Sequence, residues 1–239
     1  MTAASPRFTV VLPCFDEGEN LRPLLDEIRG ALHKRGEAFE VIFVDDASRD
    51  ETPRILEDIA RDGEDVRALR HQQNLGQSAA IASGFRAARG ELVLTLDADG
   101  QNDPADFGRL LDAIEEDADA DAACGVRAER HDTWSKKLAS RLGNRIRDVL
   151  TGVPVRDAGC GLRVLRREIL EEIPVFNGIH RFLPTVLRLQ GYRVLEIEVG
   201  HRARRHGQSK YGIGNRAWRG LVDCLAMRWY RRRVIPGRR

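Results

Sequence analysis

The sequence has 239 residues, of which 42% are hydrophobic and 32% charged, and its formal net charge is +2. These proportions are typical of a soluble globular protein, and the length is sufficient for one α/β domain with a sizeable core. The four cysteines are far apart and form no Cys-x-x-Cys pair, which argues against a zinc site or a disulfide framework. We find neither a signal-peptide pattern nor a run of 18 apolar residues, so no leader and no membrane-spanning helix are predicted.

The charges are distributed unevenly along the chain. The first 125 residues are strongly acidic and the remainder is strongly basic. A basic half suits nucleic acid, an anionic membrane or phosphorylated ligands, although it also fits a solvated surface that is rich in arginine. Because no nucleic-acid-binding motif is recognisable, we predict no nucleic-acid partner.

Strand and helix patterns alternate through the acidic half. Five apolar runs predict buried strands: 8–12, 41–44, 66–69, 92–96 and 122–126. Four segments with helical spacing lie between them: 20–34, 52–60, 78–88 and 104–116. This alternation predicts a mostly parallel sheet covered by helices, with ligands bound beyond the carboxyl ends of the strands.

The basic half is less regular. Its patterns predict helices over 134–150, 182–190 and 216–233, a strand over 192–199, and loops over 157–165 and 201–216. We therefore expect one domain over 1–215 and a basic amphipathic segment over 216–239.

The run 92–96 ends in polar residues that are each two positions apart. In an extended chain Asp97, Asp99 and Gln101 point the same way and present three oxygen ligands. Such ligands suit Mg²⁺ or Mn²⁺, which proteins usually hold together with substrate phosphates. The alternative is an ordinary polar loop after a strand.

Four motifs resemble the family 2 GT-A glycosyltransferases, in particular the branch of dolichol-phosphate mannose synthase and the undecaprenyl-phosphate glycosyltransferases. They are VVLPCFDEGEN at 10–20, VDDASRDET at 44–52, DADGQ at 97–101 and RRHGQSKY at 204–211. The resemblance implies a Rossmann-like GT-A fold, a nucleotide-diphosphate sugar donor, a polyprenyl-phosphate acceptor, inversion, and Mg²⁺ or Mn²⁺. Two alternatives remain: another lipid or a polysaccharide as acceptor, and a silent nucleotide-sugar-binding module.

The resemblance also assigns roles by position. Residues expected to bind the nucleotide sugar are Pro13, Phe15, Glu17, Val44, Asp46, Asp97, Ala98, Asp99, Arg127, Arg204 and Lys210. Asp99 and Gln101 are the expected metal ligands, and Asp97, Asp99 and Arg204 the expected catalytic residues. Plainer interpretations are a helix cap or turn for Asp45 and Asp46, a surface arginine for Arg127, and a basic linker for 204–210.

Elementary chemistry explains why the family pattern uses cations near the acceptor. An acceptor phosphate is already largely a dianion at pH 7 and needs no general base, only positive charge that holds it in line. The basic residues Arg130, Lys136, Lys137 and Arg141 suit this need. Arg204 and Lys210 offer a planar fork and a point charge to the bound diphosphate of the donor. Asp157 is expected to orient an arginine or the acceptor rather than to act as a base.

The C-terminal segment has the pattern of a helix lying on a membrane surface. Five apolar residues recur at helical spacing with arginines beside them: Trp218, Leu221, Val222, Leu225 and Trp229. The alternative is a terminal helix packed on its own domain. We expect a peripheral protein on the cytoplasmic face of a membrane, with a separate membrane protein as a possible partner.

The chain departs from its relatives in one motif. Gly100 stands where a leucine is common, and Asn102-Asp103-Pro104 where two consecutive prolines are common. Because the expected metal ligands are kept, this departure bears on the identity of the sugar rather than on activity itself.

Overall fold

The computed structural model describes residues 5–128, 145, 147–203 and 213–235, without the side chains of 213–219 and 221. Seven strands form one sheet: β1 (Phe8–Cys14), β2 (Phe39–Asp45), β3 (Val66–Arg70), β4 (Leu92–Thr95), β5 (Ala122–Arg127), β6 (Arg163–Arg166) and β7 (Val194–Val199). Their order is β3-β2-β1-β4-β6-β5-β7. The central strands are apolar and buried along almost their whole length, as expected of a sheet with both faces covered.

Helices connect these strands along the chain. They are α1 (Gly18–His33), α2 (Thr52–Asp62), α3 (Gln77–Ala87), α4 (Phe107–Glu116), α5 (Ile179–Leu189) and α6 (Ile213–Arg231), with short 3₁₀ helices η1 (Pro104–Asp106) and η2 (Arg167–Glu172). Local chemistry sets some of the boundaries. The Asp103 carboxylate accepts a hydrogen bond from the Ala105 N–H at 2.9 Å and begins η1, and Pro104 follows at the first position.

Strand β6 runs antiparallel to both β4 and β5, whereas the other pairs in the sheet are parallel. The sequence predicted a loop over 157–165, and that prediction is wrong for 163–165, which lie in β6. Only Val164 and Leu165 separate the arginines at the two ends of this strand, so the local pattern gives no strand signal. Pairing on both sides fixes its conformation instead.

Apolar clusters cover both faces of the sheet. On one face α1 and α4 contribute fully buried side chains such as Leu21 and Phe107. On the other face α5 contributes Leu183 and Val186, and Met227 of α6 packs against the same cluster. Each fully buried side chain of this kind stabilises the fold by about 1.5–3 kcal/mol. The predicted α/β class with a mostly parallel sheet is confirmed.

Part of the basic half lies outside the described residues. Residues 147–151 are helical, and most of the helix predicted over 134–150, with Arg130, Lys136, Lys137 and Arg141, is not described. No helix in the described part of the chain is long and apolar enough to cross a membrane. The boundary expected at residue 215 stays a prediction, with α6 beginning at Ile213.

Candidate active site

Three of the four sequence motifs meet at one edge of the sheet. β2 and β4 both pair in parallel with β1, with Cys14 opposite Asp45 and Val11 opposite Thr95. The loops that follow these strands therefore emerge together at their carboxyl ends, where open α/β sheets bind ligands. The fourth motif, 204–211, lies outside the described residues, so Arg204 and Lys210 stay predictions.

The turns after β1 and β2 hold each other in an uncommon backbone conformation. Asp16 and Ala47 have positive φ values of 50° and 60°. The Asp16 N–H donates to the Ser48 hydroxyl at 2.9 Å, and the Arg49 N–H donates to the Asp16 carboxylate at 2.7 Å. Non-glycine residues in this region are strained, and such strain concentrates at functional sites.

The predicted nucleotide-binding residues in and after β1 and β2 differ in how deeply their side chains are buried. Pro13, Phe15 and Glu17 are partly exposed at the edge, and the Glu17 carboxylate accepts a hydrogen bond from Asn20 at 2.8 Å. Val44 is fully buried in a cluster with Ile42 and Ala80. Its side chain therefore belongs to the core, and its contact with a nucleotide stays a prediction.

Asp46 is buried, and its carboxylate organises the loop that precedes α3. One oxygen accepts the Leu75 N–H at 2.9 Å and lies 2.7 Å from His71 Nδ1; the other accepts the Gly76 N–H at 2.6 Å. A cavity of about 670 Å³ opens next to this loop and is lined by 47–49 and 70–74. Asp46 therefore shapes one wall of the space beside the carboxyl edge.

Asp97 and Asp99 lie in a different environment at the end of β4. Gln77 at the start of α3 donates a hydrogen bond to the Asp97 carboxylate at 2.8 Å. Burial, followed by repulsion from Asp99, raises the pKa of Asp97 to about 6, although Arg163 and Arg127 oppose the shift. An adjacent cation would relieve this repulsion, and the oxygen donors suit Mg²⁺ or Mn²⁺.

The backbone passes close to Asp97 at Gly161. A Cβ atom at this position would lie 2.4 Å from an Asp97 carboxylate oxygen, so only glycine fits there. The Gly161 carbonyl in turn accepts the Thr95 hydroxyl at 2.6 Å, which ties this segment to the end of β4. The loop before β6 thus packs directly against the Asp97 carboxylate.

Arg127 and Asp157, which the sequence singled out separately, form a two-pronged ion pair. Arg127 Nε and Nη2 lie 2.6 and 2.8 Å from the two Asp157 oxygens. Of the two roles expected for Asp157, the structure therefore has it orienting an arginine. The paired Arg127 is partly buried, so it is more than a solvated surface arginine.

Arg202, at the end of the described stretch 147–203, contacts the 97–101 motif. The Arg202 N–H donates to the Gln101 carbonyl at 2.8 Å, and the Arg202 side chain binds Glu27 at 2.7 Å and also contacts Asp103. Arg204 is only two residues further along. The Gln101 N–H itself donates to Asp99 at 3.1 Å, which sets the turn of the motif.

Sequence reasoning missed several residues that complete this edge. Gln77, Gly161 and Arg163 act on Asp97 from distant positions in the chain, and His71 acts on Asp46. Gln77 and His71 lie in none of the motifs. Gly161 and Arg163 stand in the segment 157–163, which also resembles the family near the acceptor side, but that resemblance gives no sign of a contact with Asp97.

Comparison with known proteins places the chain in a family. The model for glycosyl transferase family 2 matches residues 9–174, which include the ends of β1, β2 and β4. The chain belongs to glycosyl transferase family 2. The resemblance drawn from the four motifs is thereby confirmed.

Named relatives extend over most of the chain. The undecaprenyl-phosphate 4-deoxy-4-formamido-L-arabinose transferase of Aeromonas hydrophila subsp. hydrophila is 37% identical over 91% of this chain and 67% of its own length. The dodecaprenyl-phosphate galacturonate synthase of Rhizobium johnstonii is 34% identical over 98% of this chain and 70% of its own length. The arabinose transferase of Pseudomonas aeruginosa strain PAO1 is 40% identical over 85% of this chain, and the match spans 60% of that relative.

Solved structures show the fold. The glucosyl-3-phosphoglycerate synthase of Mycobacterium tuberculosis with Mn²⁺, UDP and phosphoglyceric acid has a TM-score of 0.72 at 19% identity, covering 94% of this chain and 79% of that one. A mannosyltransferase from Pyrobaculum calidifontis with GDP-Man and Mn²⁺ has a TM-score of 0.64 at 22% identity, covering 96% and 65%. The expected GT-A architecture is confirmed.

Proposed function

We propose that this chain transfers a sugar from a nucleotide-diphosphate donor to a polyprenyl phosphate, with inversion at the anomeric carbon. The observation that carries the proposal is the meeting of three strand ends at one edge, with Asp97 and Asp99 side by side there. Relatives named for undecaprenyl- and dodecaprenyl-phosphate support the class of the acceptor.

The donor would lie across the carboxyl ends of β1, β2 and β4. The cavity beside the Asp46 loop offers room for the nucleoside, and the edge residues Pro13, Phe15 and Glu17 border the same edge. The diphosphate would then lie at Asp97, Ala98 and Asp99. This order follows the strands of the sheet from β2 to β4.

Asp99 and Gln101 are the residues that would hold Mg²⁺ or Mn²⁺. The described residues contain no group of three or more His, Cys, Asp or Glu that could bind a metal, so the donor's phosphates would complete the ligand set. When bound, the cation supplies positive charge that stabilises the leaving nucleoside diphosphate. Asp97 would face the sugar or ribose, held in place by Gln77 and by the close backbone at Gly161.

The transfer itself needs no general base from the chain. An oxygen of the acceptor phosphate, already a dianion at pH 7, forms a bond to the anomeric carbon as the bond to the nucleoside diphosphate oxygen breaks. The electron pair leaves with the diphosphate. Asp157 is engaged with Arg127, which supports a positioning role for both. Arg204 and Lys210 would complete the positive charge around the phosphates.

The C-terminal helix α6 offers a surface for the membrane. Val222, Leu225 and Trp229 are 47%, 51% and 63% exposed, and the arginines Arg228 and Arg232 lie beside them. Exposed apolar side chains mixed with arginine suit the interface of an anionic bilayer. These residues support a peripheral association with the membrane, which we propose to be on the cytoplasmic face, with a separate membrane protein as a possible partner.

A donor and acceptor panel tests the proposed reaction. Purified protein is incubated with radiolabelled UDP- and GDP-sugars, Mn²⁺ and either undecaprenyl phosphate or a polysaccharide acceptor. We expect a butanol-extractable labelled lipid with at least one donor, and none from Asp99→Ala. Thermal stabilisation by UDP or GDP should also depend on Mn²⁺. If no nucleotide stabilises the protein and no lipid is labelled, the proposal is wrong.

Vesicle flotation tests the membrane surface. The protein should float with vesicles containing anionic lipids and less so with neutral vesicles. Replacing both Leu225 and Trp229 by serine should abolish flotation, while exchange of Leu75, which is 50% exposed and outside α6, for serine should not. Equal flotation of all variants would remove α6 from the membrane contact.

A further inference from the structure

A second cavity lies between α3, η2 and α5, on the face of the sheet that α6 also covers. It measures about 560 Å³, within the range of small-molecule sites. Its walls are largely apolar, formed by Ile81, Phe85, Leu170, Ile173, Ile179 and Leu183. We call it the α3–α5 groove. The family motifs do not include it, and the donor site leaves it without a role.

One end of the groove adjoins the candidate active site. Gln77, the first residue of α3, hydrogen-bonds Asp97, and Ser78, the next residue, lines the groove. The lining then continues along α3 to Ala88. With a helical rise of 1.5 Å per residue, the groove follows about 15 Å of helix away from the site. A molecule with its head at Asp97 would therefore lay its tail along α3.

The end near the site is polar, with Ser78 and His180 as its lining residues, whereas the acidic lining residues Glu168 and Glu171 belong to η2. Burial, with the help of Arg181 and Arg163, lowers the pKa of His180 to about 3, so this histidine is neutral. Its Nε2 accepts from Arg181 Nε at 3.2 Å, so Nδ1 carries the proton and donates to the Ser78 hydroxyl at 2.8 Å. Arg181 brings positive charge to this end, which suits an anionic head group.

The far end is bordered by charged side chains. Arg86, Arg167 and Glu168 line it, and they would exclude a long hydrocarbon chain from passing further. The apolar stretch therefore accommodates only a short tail. The rim of the groove includes Val175, which is 62% exposed. The contact with α6 lies at the other end, because Gly178, where a Cβ would lie 3.2 Å from an Asp223 carboxylate oxygen, donates its N–H to the Ser78 hydroxyl at 2.9 Å.

We propose that the α3–α5 groove binds the first isoprene units of the acceptor lipid, with its phosphate at the Ser78 and His180 end. The inference rests on the proposed function for the identity of the lipid. An apolar channel whose polar end lies beside Arg181 and the donor site suits a phosphate-headed isoprenoid in both charge and polarity. The rest of the lipid would leave the groove over the exposed rim at Val175 and remain in the membrane.

A photoreactive probe tests occupancy of the groove independently of transfer. Geranyl phosphate with a diazirine at its tail is irradiated with the full-length protein, and crosslinked peptides are mapped. We expect labels on α3, η2 or α5 that unlabelled geranyl phosphate removes and inorganic phosphate does not. Labels confined to other parts of the chain would overturn the proposal, including labels on α6 alone.

Two variants test the groove through kinetics with geranyl phosphate in detergent. Val175→Asp puts a charge on the rim of the groove. Ala82→Phe introduces a bulky side chain into the groove beside Ile81. Each should raise the KM for geranyl phosphate about tenfold, with little change in the Mn²⁺-dependent stabilisation by nucleotide. Val149→Asp is the matched control and should behave as wild type, because Val149 is 70% exposed and does not line the groove.

The outcomes separate this inference from the proposed function. Transfer to polyprenyl phosphate with an unchanged KM in Val175→Asp and Ala82→Phe would refute the groove and leave the reaction intact. Specific crosslinks in the groove without any transfer would support the groove and refute the reaction. A melting temperature near that of wild type excludes misfolding of Ala82→Phe, and Val175→Asp stands on an exposed position.

Discussion

Two aspartate pairs follow two strands of the same sheet, and their surroundings differ. After β2, Asp46 is buried and its carboxylate accepts backbone N–H groups from Leu75 and Gly76. After β4, Asp97 accepts a side-chain amide from Gln77 and lies near a second carboxylate, Asp99. Both pairs look alike in the sequence, as an apolar run followed by acidic residues.

The difference shows that carboxylates at one edge of the sheet can have two roles, one in stabilising the fold and one in binding a ligand. Hydrogen bonds from a fixed loop satisfy the Asp46 charge, so this carboxylate stabilises the wall of the site. The charge at Asp97 is opposed by burial and by Asp99, so binding of a cation there would be favourable. Exchanging an aspartate in each pair for a neutral residue should therefore have opposite effects on stability.

The largest expected effect belongs to Asp99. Asp99→Ala should lower the rate of sugar transfer by roughly 10²–10³-fold, because it removes a charge that would hold the cation against the diphosphate. The measurement is radiolabelled lipid product at saturating donor. Asp119→Asn, at an exposed acidic position remote from the edge, is the matched control. Undiminished transfer by Asp99→Ala would overturn the metal assignment.

Asp46→Asn should act mainly on stability. The asparagine cannot accept from all the donors of the 71–76 loop, so we expect the free energy of unfolding to fall by about 2–4 kcal/mol. Urea unfolding followed by circular dichroism measures the change. Asp58→Asn, which breaks an exposed ion pair with Arg61, should cost about 1 kcal/mol at most. A stable Asp46→Asn variant with weakened nucleotide binding would instead favour a direct contact with the ligand.

Much of the fold could be predicted from the sequence, but the difference between the two aspartate pairs could not. Strands β1, β2 and β4 were predicted close to their observed limits because both faces are buried and most of their residues are apolar. The hydrogen bond from Gln77 to Asp97 joins residues 20 positions apart and depends on how α3 packs. Arg127 and Asp157 were each singled out, but their pairing required β5 and the loop before β6 to meet.

Asp97→Asn should raise the free energy of unfolding at neutral pH in the presence of EDTA. The pKa of Asp97 is about 6 in the folded protein and 3.8 ordinarily, so the ionised carboxylate destabilises the fold above pH 6. Asparagine removes this cost and still accepts from Gln77. The gain should be at most about 3 kcal/mol at pH 7.5, shrink as the pH falls from 6 to 4, and vanish below about pH 3, where both folded and unfolded Asp97 are protonated. A gain that is independent of pH would contradict this account of Asp97.

Variants at Gln77 test whether the properties of Asp97 depend on the single hydrogen bond from the Gln77 side-chain amide. Gln77→Ala removes the hydrogen bond that lowers the pKa of Asp97, so transfer should fall a few-fold and the acid limb of Mn²⁺-dependent nucleotide binding should move to higher pH. Gln77→Glu should be worse for binding because it adds a third carboxylate, even though a glutamate at the first position of α3 favours the helix. A merely structural glutamine would reverse that order, with glutamate tolerated better than alanine. Thermal shift with UDP and Mn²⁺ between pH 5 and 8 distinguishes the two, because only electrostatic support of Asp97 moves the acid limb while the melting temperature without ligand stays near that of wild type.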